Sequence, residues 1–189
     1  MSDTKEFWSG DFGNDYLKRN RVAWQRRIPF WEGIINLTGA RSVHEFGCSA
    51  GWNLSAIKRA FPDVAVAGND INSEAIKQAE RAGISHVGLE SISAWMQSEL
   101  VFTSGVLIHI APEDLQATMQ SIVDASCDYV LAVEYAAEQE EEVLYRGHEG
   151  KLWKRPYGKL YQGMGLTLVQ EFDAGEGFDR CTAFLLRKP

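Results

Sequence analysis

Short apolar runs alternate with amphipathic stretches through the middle of this chain, separated by Gly, Pro and Asn. Ser42 to Phe46 reads as a strand, and Leu54 to Ala60 as the helix after it, ended by Phe61-Pro62. Val64 to Gly68 is the second strand. Ser73 is placed as N-cap of a helix running to Ala82, with Gly83 as its stop. His86 to Leu89 is a short third strand, Ser93 to Gln97 a helical turn, and Leu100 to Thr103 the fourth strand. Pro112 opens a helix to about Ala125, and Tyr129 to Val133 is the fifth strand. Gly158 to Met164 reads as helix, and Leu166 to Phe172 and Cys181 to Leu186 as two closing antiparallel strands. Before the first strand, Phe7 to Gly13 reads as an irregular aromatic arm and Asp15 to Arg27 as a helix. Pro29 marks a break or a helix start, Trp31 to Leu37 is an apolar helix, and Gly39 stops it.

Strand–helix alternation implies an α/β fold with a parallel sheet and right-handed crossovers. The expectation is a single domain: residues 1–40 as lid and docked helices, residues 41–189 as core. Its 189 residues suffice for one packed core. A net charge of −7 argues against broad nucleic-acid binding, which needs a basic face. Three isolated cysteines suggest a reducing cytoplasm. A polar start and the lack of a long apolar run suggest neither a signal peptide nor a membrane span. No His/Asp/Glu spacing compels a metal.

The candidate chemistry begins at Glu45-x-Gly47-x-Ser49-x-Gly51. A strand turning sharply into a helix is expected to leave backbone N–H groups facing a crevice, and small residues let a ligand approach. In the dinucleotide fingerprint the third glycine would stand where Trp52 does, which argues against NAD. The order instead resembles the acidic-x-Gly-x-Gly-x-Gly loop of methyltransferases, with one Gly replaced by Ser. That resemblance implies S-adenosylmethionine as cofactor, held by Glu45, Gly47, Ser49 and Gly51, with Trp52, Asn53 and Ser104 beside them. Asp70, about 20 residues beyond the loop, is placed to hydrogen-bond ribose hydroxyls, with Ile71 adjacent. It equally suits a turn, since Asn69 and Asn72 flank it. Related enzymes clasp the adenine after the third strand, which here implies Ser91 and Ile92. His109, in the segment after the fourth strand, is a candidate general base or a packed core histidine.

Phe7 to Tyr16, Arg19-Asn20 and Tyr145 to Arg155 resemble the terminal segments of the pseudaminic acid biosynthesis-associated methylases. The resemblance spans nearly the whole chain and implies a class I, Rossmann-like core. Its sheet would have seven mostly parallel strands, helices on both faces and an antiparallel C-terminal strand. It also implies that the N-terminal arm is a lid, with Trp8, Tyr16, Arg19 and Arg21 as contacts. Arg146, His148, Lys151 and Arg155 cluster after the fifth strand, where a small anion would be attracted. They equally suit a solvated loop balancing Glu138 to Glu142.

The expected activity is methyl transfer from S-adenosylmethionine to a small polar, anionic metabolite through an oxygen or nitrogen acceptor. His109, His148 or Tyr135 is the expected base where a proton must leave, His109 and Tyr135 foremost; the oligomeric state stays open. A nucleotide-cofactor oxidoreductase and a non-catalytic cofactor-binding member of the fold are the alternatives.

Overall fold

The computed structural model describes residues 3–85, 87–89 and 97–189. Ser91 and Ile92, the expected adenine contacts, lie outside the described residues, as do most of the predicted turn at 93–97 and the first residue of the predicted third strand. The elements run α1 (Asp3–Ser9), α2 (Asp11–Arg19), a 3-10 turn (Trp24–Arg27), α3 (Ile28–Thr38), β1 (Ser42–Phe46), α4 (Trp52–Ala60), β2 (Ala65–Asp70), α5 (Ser73–Arg81) and β3 (Val87–Leu89). There follow β4 (Ser98–Ser104), a 3-10 turn (Leu107–His109), α6 (Pro112–Ala125), β5 (Ser126–Glu134), β6 (Glu141–Glu142), β7 (Trp153–Lys154), α7 (Tyr157–Gly163), β8 (Thr167–Asp173) and β9 (Thr182–Arg187).

Seven strands form one sheet in the order β3-β2-β1-β4-β5-β9-β8. β1 pairs in parallel with β2 and β4, and β4 with β5; β9 runs antiparallel to both β5 and β8. The central strands are buried on both faces, as parallel strands covered by helices must be. Alternation along β4 and β5 splits their side chains between two cores. Leu100, Phe102, Leu131 and Val133 join Trp31, Ile34, Leu54 and Ile57 on one side. Val101, Val130 and Ala132 join Leu107, Met119, Ile122, Tyr157 and Phe184 on the other.

The reversal of strand order lies at β1, between β2 and β4. Ligands of open α/β sheets bind at such a switch point, outside the carboxyl ends of the strands. β1 and β4 deliver the glycine loop and Ser104 there.

Three predicted features are corrected. The aromatic arm is helical: α1 ends at Gly10, whose N–H donates to Glu6 O at 3.0 Å, and α2 follows at once. Gly13 makes this pairing possible, because a Cβ there would stand 1.9 Å from the Trp8 carbonyl oxygen. The expected helix Asp15–Arg27 stops at Arg19, where the Asn20 backbone N–H and its side-chain amide both donate to Tyr16 O, at 3.0 and 2.9 Å. That double bond caps α2. Finally, the N-cap of α5 is Asn72, not Ser73. Asn72 Oδ1 accepts from the Glu74 and Ala75 N–H groups at 2.9 and 3.0 Å.

The same Asn72 side chain donates to Trp8 O and to Asn14 Oδ1, both at 3.1 Å. One asparagine therefore caps a core helix and docks the two N-terminal helices over the loop end of the sheet. The small β6–β7 ribbon was not foreseen. Its register pairs Glu141 with Lys154 and Glu142 with Trp153, so opposite charges and an aromatic hold a two-residue ladder.

Candidate active site

A cleft opens between the β1–α4 loop, β4 and the N-terminal region. Tyr16, Arg27, Glu45, Gly47, Ser49, Trp52, Asn53 and Ser104 line it, together with Val22 and Cys48. Seven of these ten are among the residues expected from the sequence: Tyr16, Glu45, Gly47, Ser49, Trp52, Asn53 and Ser104.

The backbone at the loop is left-handed at Gly47 (φ 72°), Ser49 (φ 49°) and Gly51 (φ 75°). Ser49 carries a side chain where glycine is the unstrained choice. At Gly47 a Cβ would lie 2.6 Å from Val106, so this glycine also admits the β4 connection. Four of the expected free N–H groups are already bonded. Gly47 and Cys48 donate to Asn69 O at 2.8 and 2.9 Å, Gly51 donates to Cys48 O at 2.9 Å, and Ser49 donates to Asp70 Oδ2 at 2.8 Å. The reversed backbone folds onto the end of β2 and satisfies itself there. What the loop offers a ligand is close approach.

Glu45 points into the interior and is 2% exposed. Asn53 Nδ2 donates to its Oε1 at 2.6 Å, while Oε2 is buried without a partner among the described residues. Burial pushes this carboxyl up to about 8, against the opposing pull of Asn53 and Arg27. Asn53 is held from its other end, its Oδ1 accepting from Arg27 Nη1 at 2.9 Å and from Trp31 Nε1 at 3.4 Å. Arg27 Nε donates to Gly177 O at 2.9 Å, and its guanidinium sits 4.5 Å from the Phe178 ring centroid. Sequence reasoning missed Arg27 and named Arg21, which is exposed and does not line the cleft. No local pattern separates these arginines; the 3-10 turn after Ala23 aims Arg27 inward.

Asp70 ends β2. Its Oδ2 accepts from Ser49 and its Oδ1 from the Asn72 N–H, each at 2.8 Å. Ile71 follows it, half-buried. Burial raises the Asp70 carboxyl and these bonds oppose the rise. The residue holds a turn, the second of its two sequence readings, and stands at the end of β2 beside the glycine loop.

His109 ends the second 3-10 turn. Its Nδ1 lies 2.6 Å from Lys151 O, and a carbonyl oxygen only accepts, so Nδ1 carries the proton and Nε2 presents a lone pair. The ring lies 4.4 Å from the Trp8 ring and 4.9 Å from the Tyr145 ring, between centroids. Burial lowers the imidazole to about 4, so it is neutral at pH 7. Trp8 also meets Phe12 and Tyr16 edge-on, and its Nε1 is buried without a partner among the described residues.

Glu134, also absent from the expected set, positions this turn. The fully buried carboxylate accepts from the N–H groups of Val106, Leu107 and Ile108 at 3.2, 3.1 and 3.4 Å. Burial pushes it up to about 7.

Three expected roles change. Tyr135 OH donates to Asp179 Oδ2 at 3.2 Å, and burial together with that carboxylate raises the phenol further, so it holds its proton. Lys151 is 6% exposed, pairs with Asp3 of α1, and lies 5.1 Å from the Phe7 ring centroid. Arg155 is 1% exposed, with Nε on Glu140 Oε2 at 2.6 Å and Nη1 on Leu107 O at 2.9 Å. Lys151 thus ties down α1 and Arg155 the second 3-10 turn, because a buried charge needs a partner. Arg146 and His148 remain exposed, His148 packing its ring on Phe7 and Phe12.

No protein-family model matches this chain, and no curated protein matches it by sequence. Solved structures do. The magnesium protoporphyrin IX methyltransferase of Synechocystis PCC 6803, with bound SAM, superposes with a TM-score of 0.72 at 13% identity over 100% of this chain and 99% of that one. Human N-acetylserotonin methyltransferase in complex with SAM gives 0.73 at 14% identity over 99% of this chain and 59% of that one. Streptomyces venezuelae DesVI gives 0.66 at 14% identity over 94% and 97%. The chain has the Rossmann-like fold of these methyltransferases, with a mostly parallel seven-stranded sheet closed by antiparallel C-terminal strands.

Proposed function

We propose that this chain is an S-adenosylmethionine-dependent methyltransferase acting on a small polar metabolite. One observation carries the reading: Glu45 Oε2, a buried carboxylate oxygen without a partner, in the same cleft as the Arg27 guanidinium. The amino-acid end of the cofactor bears an ammonium and a carboxylate, and these two side chains supply the complementary charges. Glu45 would take the ammonium, Arg27 the carboxylate, and Asp70 the ribose. Gly47 and Gly51 permit close approach. The resemblance of the terminal segments to the pseudaminic acid biosynthesis-associated methylases, and the fold neighbours crystallised with SAM, point the same way.

A nucleotide-dependent oxidoreductase fits less well. A pyrophosphate needs free loop N–H donors, and four of those in the loop are already bonded internally.

When bound, the cofactor supplies an electrophilic methyl on a good leaving group. The chain then has to align the acceptor and exclude water. α1 and α2, docked through Asn72, cover the site, and Trp8 brings its ring onto His109. An anionic substituent on the metabolite would meet Arg146 and His148, the two exposed members of the basic segment.

Titration calorimetry with S-adenosylmethionine, S-adenosylhomocysteine and NADH tests this. The two sulfur ligands bind and NADH does not. NADH binding in their place overturns the reading. Cofactor binding without turnover on any acid, amine or alcohol would leave a binding protein of the same fold.

A further inference from the structure

The Asn72 side-chain amide has two lone pairs and two hydrogens, and all four are engaged. Oδ1 accepts from the Glu74 and Ala75 N–H groups, and Nδ2 donates to Trp8 O and to Asn14 Oδ1. Flipping the amide would set its NH2 against two N–H donors and its oxygen against the Trp8 carbonyl, so the network fixes its orientation. The residue is 4% exposed, and its own N–H donates to Asp70 Oδ1. The first pair of bonds serves the α5 cap. The second pair reaches residues 64 and 58 positions earlier in the chain.

A chain of hydrogen bonds thereby runs around the cleft. Ser49 lines the cleft and donates its N–H to Asp70, Asp70 takes the Asn72 N–H, and Asn72 holds Asn14. Two residues beyond Asn14, Tyr16 lines the same cleft. α2 also forms a small apolar cluster through Leu17 with Ala50 of the glycine loop and Ala75 of α5. Among the described residues, the Asn72–Asn14 bond is the only hydrogen bond that joins α2 to the chain beyond Asn20. Gly13 leaves room for it, since a Cβ there would stand 2.8 Å from Asn72 Nδ2. Helices of seven and nine residues are marginal alone in water, so α1 and α2 depend on their docking.

We propose that Asn72 is a positioning residue for cofactor binding: its two donated bonds hold α1 and α2 closed and so keep Tyr16 in the wall of the cleft. This rests on the methyltransferase reading above. The cofactor meets the closed form through Tyr16 as well as through the loop, so it binds that form more tightly than an open one. Closure and cofactor binding then strengthen each other by the same factor. Any open fraction lowers the apparent affinity in proportion. The carboxylate proposed for the ribose fixes the backbone of Asn72, and the Asn72 amide fixes the helices.

Limited trypsin digestion of the full chain reads the open fraction through cleavage after Lys5 of α1 and Lys18 of α2, both exposed. It is run with and without S-adenosylhomocysteine, whose binding is measured alongside by calorimetry. Asn72→Ser retains an N-cap oxygen and the backbone N–H but lacks the amide donors. It leaves the urea midpoint of the core unchanged, speeds both cleavages about 10-fold and weakens S-adenosylhomocysteine binding. Saturating S-adenosylhomocysteine slows the cleavages again, because it selects the closed form. Asn72→Asp also keeps the cap but sets an oxygen against Trp8 O and Asn14 Oδ1, so it opens further than Asn72→Ser. Asn14→Ala removes one acceptor, leaves the α5 cap untouched and speeds cleavage after Lys18. Cleavage of Asn72→Ser or Asn14→Ala at the wild-type rate reduces Asn72 to a cap and overturns the proposal. S-adenosylhomocysteine that binds without slowing either cleavage also overturns it, and leaves the methyltransferase reading intact. Failure of S-adenosylhomocysteine to bind the wild-type chain overturns both.

Discussion

The Asn53 amide donates to Glu45 Oε1 across 2.6 Å and leaves Oε2 of the same carboxylate buried and bare. Because burial raises this carboxyl to about 8, most of it is protonated at pH 7 in the free protein. A cofactor ammonium placed against it favours the ionised form. Binding at pH 7 is therefore expected to release close to one proton. Calorimetry in buffers of different ionisation enthalpy reads this as a slope, and Glu45→Gln binds more weakly with the slope abolished.

Asp70 joins the glycine loop to the α5 cap, holding Ser49 and Asn72 N–H groups on its two oxygens. Asp70→Ala removes the proposed ribose contact and orphans both donors. Cofactor affinity is expected to fall at least 10-fold, with a stability loss of about 1–3 kcal/mol. Asp70→Asn retains one oxygen and recovers part of the stability but not the affinity. Denaturant titrations beside calorimetry separate the two effects.

Glu134 is pushed up to about 7 in the folded protein, against an ordinary value near 4.5. Between those values the unfolded chain is ionised while the folded one keeps its proton. This contribution to stability is thus complete at low pH and is lost as pH rises to about 7. His109, lowered to about 4 from 6.5, works oppositely: its contribution is complete above 6.5 and is lost as pH falls to about 4. Glu134→Gln should flatten the fall in stability on the way up to pH 7, and His109→Gln the fall on the way down to pH 4. Urea melts across pH 4–8 check both.

Arg155 holds Glu140 and the Leu107 carbonyl at 1% exposure. Arg155→Ala is expected to cost about 1.5–3 kcal/mol, the range for charge-assisted bonds, and to leave S-adenosylhomocysteine affinity unchanged. A drop in activity without any drop in melting temperature would return this arginine to a substrate role.

Gly13→Ala tests the proposed lid role of α1 and α2. The added Cβ cannot coexist with the Trp8 carbonyl at 1.9 Å, so α1 must lift from α2. Core stability should barely change, while limited proteolysis near residue 10 accelerates and acceptor KM rises.

Much of this was legible in the chain. Gly39 stops α3 in the left-handed conformation at φ 67°, with its N–H on Ile35 O at 2.8 Å, as its position between an apolar helix and a strand foretold. The glycine loop follows Glu45 directly at the end of β1, because strand–turn–helix spacing is local, and parallel pairing of β1 with β2 brings Asp70 to the same end of the sheet. Arg27 was not legible: it enters the cleft only because Asn53 and Gly177, far along the chain, supply its acceptors.

Hydrophobic periodicity and turn residues determined the order of strands and helices, and the motif spacing pointed to the end of the sheet where the candidate site lies. These depend on contacts within a few residues, which the chain spells out directly. Tertiary structure alone decided the state of each polar group: which N–H was already bonded, which cation was buried against a carboxylate, which imidazole nitrogen kept its lone pair. Burial and partner geometry set those states, and both come from segments distant in sequence, as Lys151 does for His109 and Asn72 for Trp8.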